Sequence, residues 1–310
     1  MTDAFDLQSF DPRPGQPETL APGLRRILAP NPSPMTFRGT NTYLLGTTEI
    51  AVIDPGPADP IHLEAILAAL TPGQKITHIV VTHAHLDHSP LARPLAEATG
   101  APVLAYGDAL SGRSAVMQRL AEAGDIGGGE GVDHGFTPDI LLPDNGVLEG
   151  DGWQLTALWT PGHLGNHLCF VWQDSIFCGD LVMGWASSLV SPPDGDLTDF
   201  MTSCQRLLAL DPRRLFPGHG APIDDPQARI SWLIRHRQGR EAAILDQLAQ
   251  GPATAARLAR AIYTDTAAPL LPAATRNVLA HLIDLLGKNI VSCATAPHLD
   301  AEFTLNSERI

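Results

Sequence analysis

The sequence has few cysteines and no long apolar run. Its four cysteines are scattered through 310 residues, without paired CxxC spacing or the density of a disulfide-stapled secreted domain. We therefore expect reduced thiols and a cytoplasmic protein. Nowhere do about 18 consecutive apolar residues occur, and residues 1–17 lack the basic and apolar regions of a secretion signal. The sequence thus predicts no membrane span and no membrane partner.

Positive charge is also scarce. The chain has 20 Lys and Arg against 34 Asp and Glu, which gives a formal net charge of -14. Residues 1–227 hold 27 of the acidic and 11 of the basic residues, whereas residues 228–310 hold 7 and 9. A strongly acidic surface repels phosphate polymers at long range, so a nucleic acid would need a local metal or basic patch to bind.

The hydrophobic pattern changes near residue 227. Before it, apolar runs with strand character alternate with helical spacing, which predicts an α/β sandwich. The predicted strands are 24–28, 42–46, 49–53, 76–81, 103–106, 153–159, 167–172 and 175–178, and the predicted helices are 62–70, 91–99 and 199–210. A Gly-rich acidic stretch, 124–145, is predicted to be a long loop near the site.

After residue 227 the sequence becomes rich in Ala and Leu. Three helical stretches at 230–249, 253–263 and 273–286 precede short strands at 290–294 and 303–305. Three helices and a hairpin are typical of a winged-helix-like module. We therefore predict a large domain over residues 1–227 and a small winged-helix-like domain over residues 228–310.

Segment 82–88 carries three histidines and one aspartate directly after a predicted buried strand. It reads Thr-His-Ala-His-Leu-Asp-His, so His83 and His85 alternate towards one side, while Asp87 and His88 can serve a neighbouring ion. Each buried imidazole nitrogen left unpaired costs about 1 to 3 kcal/mol, and a bound divalent cation removes that cost. The alternative is a solvated histidine-rich turn.

Three further metal-ligand side chains follow predicted strands. His163 ends the run Thr-Pro-Gly-His, Asp180 ends Cys-Gly-Asp and His219 ends Phe-Pro-Gly-His. Each lies beside a glycine, which lets the backbone approach closely. Four separate segments with one geometry favour a metal site over a solvated turn.

These motifs resemble those of the metallo-β-lactamase superfamily, whose fold is a four-layered αβ/βα sandwich. The resemblance implies two divalent ions, most readily zinc, bound by seven residues. By that resemblance the first ion would be bound by His83, His85 and His163, the second by Asp87, His88 and His219, and both by a bridging Asp180. An aspartate at 180 and a histidine at 88 are similar to the glyoxalase-II-like and nuclease branches rather than to the enzymes that hydrolyse β-lactams.

Segments 31–36, 39–44 and 51–56, together with the tail, resemble the β-lactamase-like protein 2 family, which carries a C-terminal winged-helix-like domain. One eukaryotic member is a single-strand-specific endoribonuclease. The resemblance therefore implies a metal-dependent hydrolase, either an endoribonuclease-like phosphodiesterase acting on single-stranded RNA or, like glyoxalase II, a thioester or ester hydrolase of small molecules. The native substrate and the oligomeric state stay open.

Two ions about 3.5 to 4 Å apart would lower the pKa of a shared water towards 7 and supply hydroxide. Asp180 would set their spacing and Asp87 would orient the water, so these are the predicted catalytic residues. A mononuclear iron persulfide dioxygenase uses fewer ligands, and a non-enzymatic nucleic-acid-binding protein would have no use for the site.

Four further residues have two interpretations each. Asp54 either accepts a hydrogen bond from a metal-bound imidazole or forms a turn. Asn41 and Tyr43 either line the cleft or pack the first hairpin, and His167 either protonates a leaving group or is structural. We also expect the C-terminal module to dock as a cap, with Arg235 or Arg237 near the cleft to recruit phosphate.

Overall fold

A computed structural model describes residues 10–306 of the chain. The predicted lack of a secretion signal falls largely on residues 1–9, which lie outside the described residues. Two large β-sheets and one small sheet form within the described range. None of the helices between residues 10 and 306 is long and apolar enough to cross a membrane.

The first sheet has seven strands in chain order, and its pairing changes from antiparallel to parallel after the fourth strand. Its strands are β1 (Glu18–Ala21), β2 (Leu24–Leu28), β3 (Asn41–Leu45), β4 (Glu49–Ile53), β5 (Lys75–Val80), β6 (Val103–Ala105) and β7 (Ile140–Leu141). The helices α1 (Pro60–Ala68) and α2 (Ala92–Thr99) pack on this sheet, whereas Met117 of α3 (Ala115–Ala123) shares a core with Val278 and Leu282 near the C-terminus. Parallel strands need crossover connections, which α1 and α2 supply.

The second sheet has five strands in the order β12-β11-β10-β9-β8, of which only β11 and β12 pair in parallel. These strands are β8 (Val147–Gly150), β9 (Trp153–Trp159), β10 (Leu168–Trp172), β11 (Ser175–Gly179) and β12 (Arg214–Pro217). The helix α4 (Leu197–Ala209) connects β11 to β12. Asp196 caps α4 by accepting from the backbone amides of Thr198 and Asp199, which fixes where the helix begins.

Three apolar cores separate four layers. One lies between the first sheet and its helices, where Ile66 and Leu95 pack against Ile79. A second lies between the two sheets and includes Phe170 and Phe216, and a third lies between the second sheet and α4. The predicted αβ/βα sandwich is therefore confirmed.

The C-terminal module begins with α5 (Pro226–Leu248), which crosses the predicted domain boundary at 227/228 without a break. It continues with β13 (Ala253–Thr254), α6 (Ala255–Ile262), α7 (Leu271–Gly287), β14 (Val291–Cys293) and β15 (Glu302–Leu305). Three helices and a three-stranded sheet confirm the winged-helix architecture. The module docks on the large domain, since Ala280 of α7 shares a core with Phe200 of α4.

Most predicted elements are present, with ends displaced by a few residues. The prediction omits α3 and the four short or exposed strands β1, β7, β8 and β13, and it places a strand before His219 without giving the bounds of β12. Only Met117 of α3 is fully buried, and both residues of β7 are exposed. Elements with so little buried surface leave almost no hydrophobic period in the sequence.

Candidate metal centre

The four predicted ligand segments lie at one edge of the sandwich, each just after a strand. Segment 82–88 follows β5, His163 follows β9, Asp180 follows β11 and His219 follows β12. Backbone hydrogen bonds join the two sheets at this edge, from Leu168 N to Thr82 O (2.8 Å) and from Asn41 N to Gly218 O (2.7 Å). The strand ends therefore bring all seven predicted ligands together.

The first group consists of His83, His85 and His163. The Nε2 atoms of His83 and His163 lie 2.9 and 3.1 Å from Nδ1 of His85. One Nδ1 faces two other ring nitrogens, and a single proton cannot give all three nitrogens a good hydrogen bond. A divalent cation held by the three lone pairs would satisfy all of them.

The second group consists of Asp87, His88 and His219. Nε2 of His219 lies 3.1 Å from Oδ2 of Asp87 and 3.3 Å from Nε2 of His88. Both imidazoles are buried, while Asp87 is partly exposed. Two nitrogens and a carboxylate oxygen therefore face one point that is open on the side of Asp87.

Asp180 lies between the two groups. Its Oδ2 is 3.2 Å from Nε2 of His219 and 3.8 Å from Nε2 of His163, and its Oδ1 is 3.5 Å from Nε2 of His88. Oδ1 is buried and accepts no hydrogen bond. A buried carboxylate oxygen without a donor is costly, and a cation beside it offsets that cost.

A separate acceptor orients most of the histidines. Nδ1 of His83 faces the Thr82 hydroxyl at 2.9 Å, and Nδ1 of His163 donates to the Leu189 carbonyl at 2.7 Å. Nδ1 of His219 faces the Gly39 carbonyl at 3.1 Å. A proton fixed on Nδ1 leaves Nε2 bare for a metal ion.

Asp54 supports His88 in the same way. Its carboxylate lies 2.9 Å from Nδ1 of His88 and also accepts from the amide and the hydroxyl of Thr82, both at 2.7 Å. The contact that orients a metal-binding imidazole is thus present. Asp54 also has φ 51, a turn conformation, so both interpretations from the sequence describe it.

The two groups differ in their charge. Burial, helped by repulsion between neighbouring imidazoles, lowers the pKa of His85 to about 3 and the pKa of His83 well below its ordinary value. Burial also opposes protonation of His219, but the carboxylates of Asp180 and Asp87 outweigh it and raise its pKa to about 9. Without a metal, protons supply the positive charge that the second group needs.

The side chains of the two groups fit bound metal ions. Nitrogens that face one another in the first group, three carboxylates around the second and the unpaired Oδ1 of Asp180 are all satisfied by cations. The cluster can therefore hold metal. His and carboxylate donors accept zinc, manganese and iron, so the donor set does not select the metal.

Gly218 shows how closely the backbone approaches the centre. A Cβ atom on it would lie 2.4 Å from Oδ1 of Asp180 and 2.6 Å from Cε1 of His88. No side chain fits there without displacing a ligand. The glycine in the Pro-Gly-His motif is therefore required by space.

Asn41 and Tyr43 are buried below the His219 loop. Asn41 Nδ2 donates to the carbonyls of Pro217 and Gly220 at 3.0 and 2.9 Å, and the Tyr43 hydroxyl donates to Pro217 at 2.7 Å. These contacts match packing of the hairpin and brace His219. His167 is also buried, and its Nε2 accepts from the amide of Asp180 at 3.3 Å. That contact matches the structural interpretation of His167.

The structure contradicts the expectation for Arg237. The side chain is 1% exposed and donates to the carbonyls of Ser187 and Ser188, so it cannot meet a phosphate. Arg235, two residues earlier, is exposed. A sign was present in the sequence, because Arg229, Leu233 and Arg237 recur every four residues and thus share one face of α5.

Comparison with known proteins identifies the family. Residues 35–219 match the model of the metallo-beta-lactamase superfamily, which covers the edge and all seven predicted ligands. The chain belongs to the metallo-beta-lactamase superfamily. Residues 254–294 match the beta-lactamase associated winged helix domain, in agreement with the architecture of the C-terminal module.

Relatives of this superfamily member cover most of its length. It is 32% identical to the beta-lactamase-like protein 2 homolog of Drosophila melanogaster, over 84% of this chain and 86% of the relative. It is also 32% identical to the atrochrysone carboxyl ACP thioesterase of Aspergillus fumigatus, over 79% of this chain and 75% of that enzyme. The crystal structure of a metallo-beta-lactamase family protein from Thermus thermophilus has a TM-score of 0.75 at 28% identity, over 93% of this chain and 100% of that one.

Proposed function

We propose that this superfamily member is a dinuclear hydrolase that cleaves an acyl thioester. The observation that carries the proposal is the pair of ligand groups joined by Asp180, whose oxygens lie between His163 on one side and His88 and His219 on the other. Two bound divalent ions would supply an activated water and polarise the carbonyl oxygen. The expected metal is zinc.

The protein's own residues would then act on the substrate. Asp180 holds the two groups at a fixed separation. Asp87, the partly exposed carboxylate of the centre, orients the attacking water from the open side. Burial of His83, His88, His163 and His219 limits the access of bulk water, which strengthens the electrostatic contacts with the polarised carbonyl.

Apolar surface beside the centre favours an acyl substrate. Leu86, between two ligands in the sequence, is 52% exposed. On the His219 side, Phe37 and Trp185 stack with ring centroids 5.3 Å apart, and Trp185 lies against Gly220. Both apolar surfaces suit a hydrocarbon chain. Similarity to an acyl carrier protein thioesterase supports the same substrate class.

The test is a panel of substrates with a chelator control. We expect S-lactoylglutathione and medium-chain acyl thioesters of pantetheine to be hydrolysed, and activity to vanish with chelation. In Leu86→Ser, turnover of the medium-chain thioester should fall about tenfold through lost apolar contact, while an acetyl thioester is nearly unaffected. Leu210→Ser is the matched control, because Leu210 is 49% exposed and lies at the end of α4. Absence of thioester hydrolysis in the metal-loaded protein would refute the substrate class.

Single-stranded RNA is the second candidate, and one observation favours it. The guanidinium of Arg38 lies over the Phe37 ring, 5.5 Å from its centroid, and Phe37 stacks on Trp185. A cation beside stacked aromatic rings is suited to an unpaired base and its phosphate. Arg38→Gln should then weaken cleavage of single-stranded RNA in a salt-dependent way and spare the acetyl thioester. RNA cleavage faster than thioester hydrolysis would make RNA the substrate.

A further inference from the structure

His163 takes its direction from a loop carbonyl. Its Nδ1 donates to Leu189 O at 2.7 Å, which leaves Nε2 bare and aimed at His85. Leu189 belongs to the loop 181–196, which runs from Asp180 to α4. The position of this carbonyl therefore sets the position of one ligand of the first group.

The C-terminal module holds that loop beside Leu189. The amide of Val190 donates to Oδ1 of Asn277 on α7 at 3.0 Å, and Nη1 of Arg237 on α5 donates to the same oxygen at 2.9 Å. Asn277 is buried, so bulk water cannot readily replace the donors that its side-chain oxygen accepts from. One amide side chain thus ties the peptide next to Leu189 to two helices of the module.

Arg237 fixes the preceding residues. Its Nη2 donates to Ser187 O at 2.7 Å and Ser188 O at 2.8 Å, and its guanidinium lies over the Phe200 ring, 5.1 Å from the centroid. A buried guanidinium is costly unless its donors are paired. Displacement of the loop would leave Nη2 without its two carbonyl acceptors, while Nη1 would keep only Asn277, so the arginine resists such movement.

A second arginine, Arg276 on α7, fixes the loop residues that follow Val190. Nε of Arg276 donates to the Ser191 hydroxyl at 2.8 Å, its Nη1 donates to Ile126 O at 2.7 Å, and its Nη2 donates to Pro192 O. The loop is therefore held on both sides of Leu189 by side chains of the C-terminal module.

The histidines of the second group are supported elsewhere. His88 contacts Asp54, and His219 contacts the carbonyl of Gly39, both in the large domain. The second group therefore serves as an internal control for changes at Asn277.

We propose that Asn277, together with Arg237, is a positioning residue that sets the direction of His163 and thereby the metal affinity of the first group. The winged-helix module is then part of the support of the metal centre. This inference rests on the proposed function, because it needs metal to bind the two groups.

The experiment compares Asn277→Leu with Asn277→Asp in the full chain. Leucine removes the acceptor of Val190 N and Arg237 Nη1, whereas aspartate keeps an acceptor for both. Zinc affinity is measured by competition with a chromophoric chelator in two backgrounds. His219→Ala leaves only the first group complete, and His163→Ala leaves only the second group complete.

In the His219→Ala background, Asn277→Leu should weaken zinc binding about tenfold, and Asn277→Asp should restore it. In the His163→Ala background neither change should matter. Thr275→Val is the matched control, since it removes a hydrogen bond within α7 and none to the loop. In the metal-free protein, Asn277→Leu should also speed hydrogen exchange of the backbone amides at 187–191.

Equal losses of affinity in both backgrounds would overturn the inference, because they would indicate general loosening of the fold. If the wild type binds two ions and Asn277→Leu has the same zinc affinity, this inference is overturned and the dinuclear function is not. A wild type that binds one ion would refute the dinuclear function and leave the inference to be decided by that ion's affinity in Asn277→Leu. A wild type that binds none would overturn both.

Discussion

The two ligand groups are supported by different parts of the chain. In the first group, His163 depends on Leu189, whose loop is held by Asn277 and Arg237 of the C-terminal module. In the second group, His88 depends on Asp54 and His219 on Gly39, without residues of that module. Residues of different domains can therefore be changed to weaken one group while the other stays intact.

The comparison also shows why the module docks so closely. Arg237 and Asn277 hydrogen-bond to each other and, through Nη2 and Oδ1, to the loop 181–196, and the contacts to the loop form only when the module is docked. A helix face that carries such residues is complete only when it is docked. Asp180, which lies between the groups, is the residue whose loss should affect both.

Asp180→Ala should give the largest loss of activity, because it should weaken metal binding by both groups rather than by one. Without the carboxylate, both sites lose a ligand, so thioester turnover should fall roughly a thousandfold or more. Circular dichroism should show an intact fold. Asp174→Ala, at an exposed carboxylate on the β10–β11 turn, is the matched control and should leave turnover unchanged. Near-normal turnover in Asp180→Ala would show that Asp180 is not a ligand of the metal centre.

Asp54→Asn should weaken the second group selectively. Its amide would donate to Nδ1 of His88 and drive the ring proton to Nε2, which blocks the metal-facing nitrogen. Zinc affinity of the second group should fall about 10–100-fold, as measured in the His163→Ala background.

The first group should survive Asp54→Asn, because the Thr82 hydroxyl can still accept from His83. Asp59→Asn, which keeps the cap of α1, is the control. A larger loss in the His219→Ala background than in the His163→Ala background would contradict the assignment of Asp54 to the second group.

Proton release on metal uptake should distinguish the groups by charge. Burial keeps the pKa of His85 at about 3, so the first ion meets neutral rings at pH 7. The carboxylates raise the pKa of His219 to about 9, so the second ion must displace protons. For each displaced proton, the affinity of the second group for zinc should rise up to about tenfold per pH unit. The rise should end when the pH reaches the pKa of His219. Zinc titration in weak buffer measures the protons. Equal release in both steps would refute this difference.

Tyr43→Phe should give the smallest effect. The change removes the hydrogen bond to Pro217 O, leaves a buried carbonyl with one donor fewer and retains the packed ring. The free energy of unfolding should fall by about 1 kcal/mol, as measured by urea denaturation. Phe177→Leu should lower stability through packing alone and leave zinc affinity unchanged, whereas Tyr43→Phe should also weaken the second group slightly. No change in either quantity would show that Tyr43 does not brace His219.

The ligands were predictable because each lies within a short motif directly after a strand. The module's support for His163 was not, because Asn277 lies more than 100 residues after His163, on a helix rich in Leu and Ala. A side-chain oxygen that accepts from a distant amide leaves no periodic signal in the sequence. Arg235 or Arg237 was predicted to recruit phosphate, and Arg237 cannot do so because it is buried; its charge alone does not reveal the buried face, which the spacing of Arg229, Leu233 and Arg237 does indicate.

Secondary structure was predicted best where one face is buried over many residues. The strand 153–159 matches β9 at both ends, because alternate residues of β9 face the core between the sheets. The short helix α3 went unpredicted because a single fully buried residue, Met117, gives no periodicity.

The central claim is a dinuclear centre, and elemental analysis of the purified full chain tests it most directly. The account predicts two divalent ions per chain in the wild type and a lower content in Asp180→Ala. A content near one iron per chain, together with oxygen consumption on a persulfide, would contradict it.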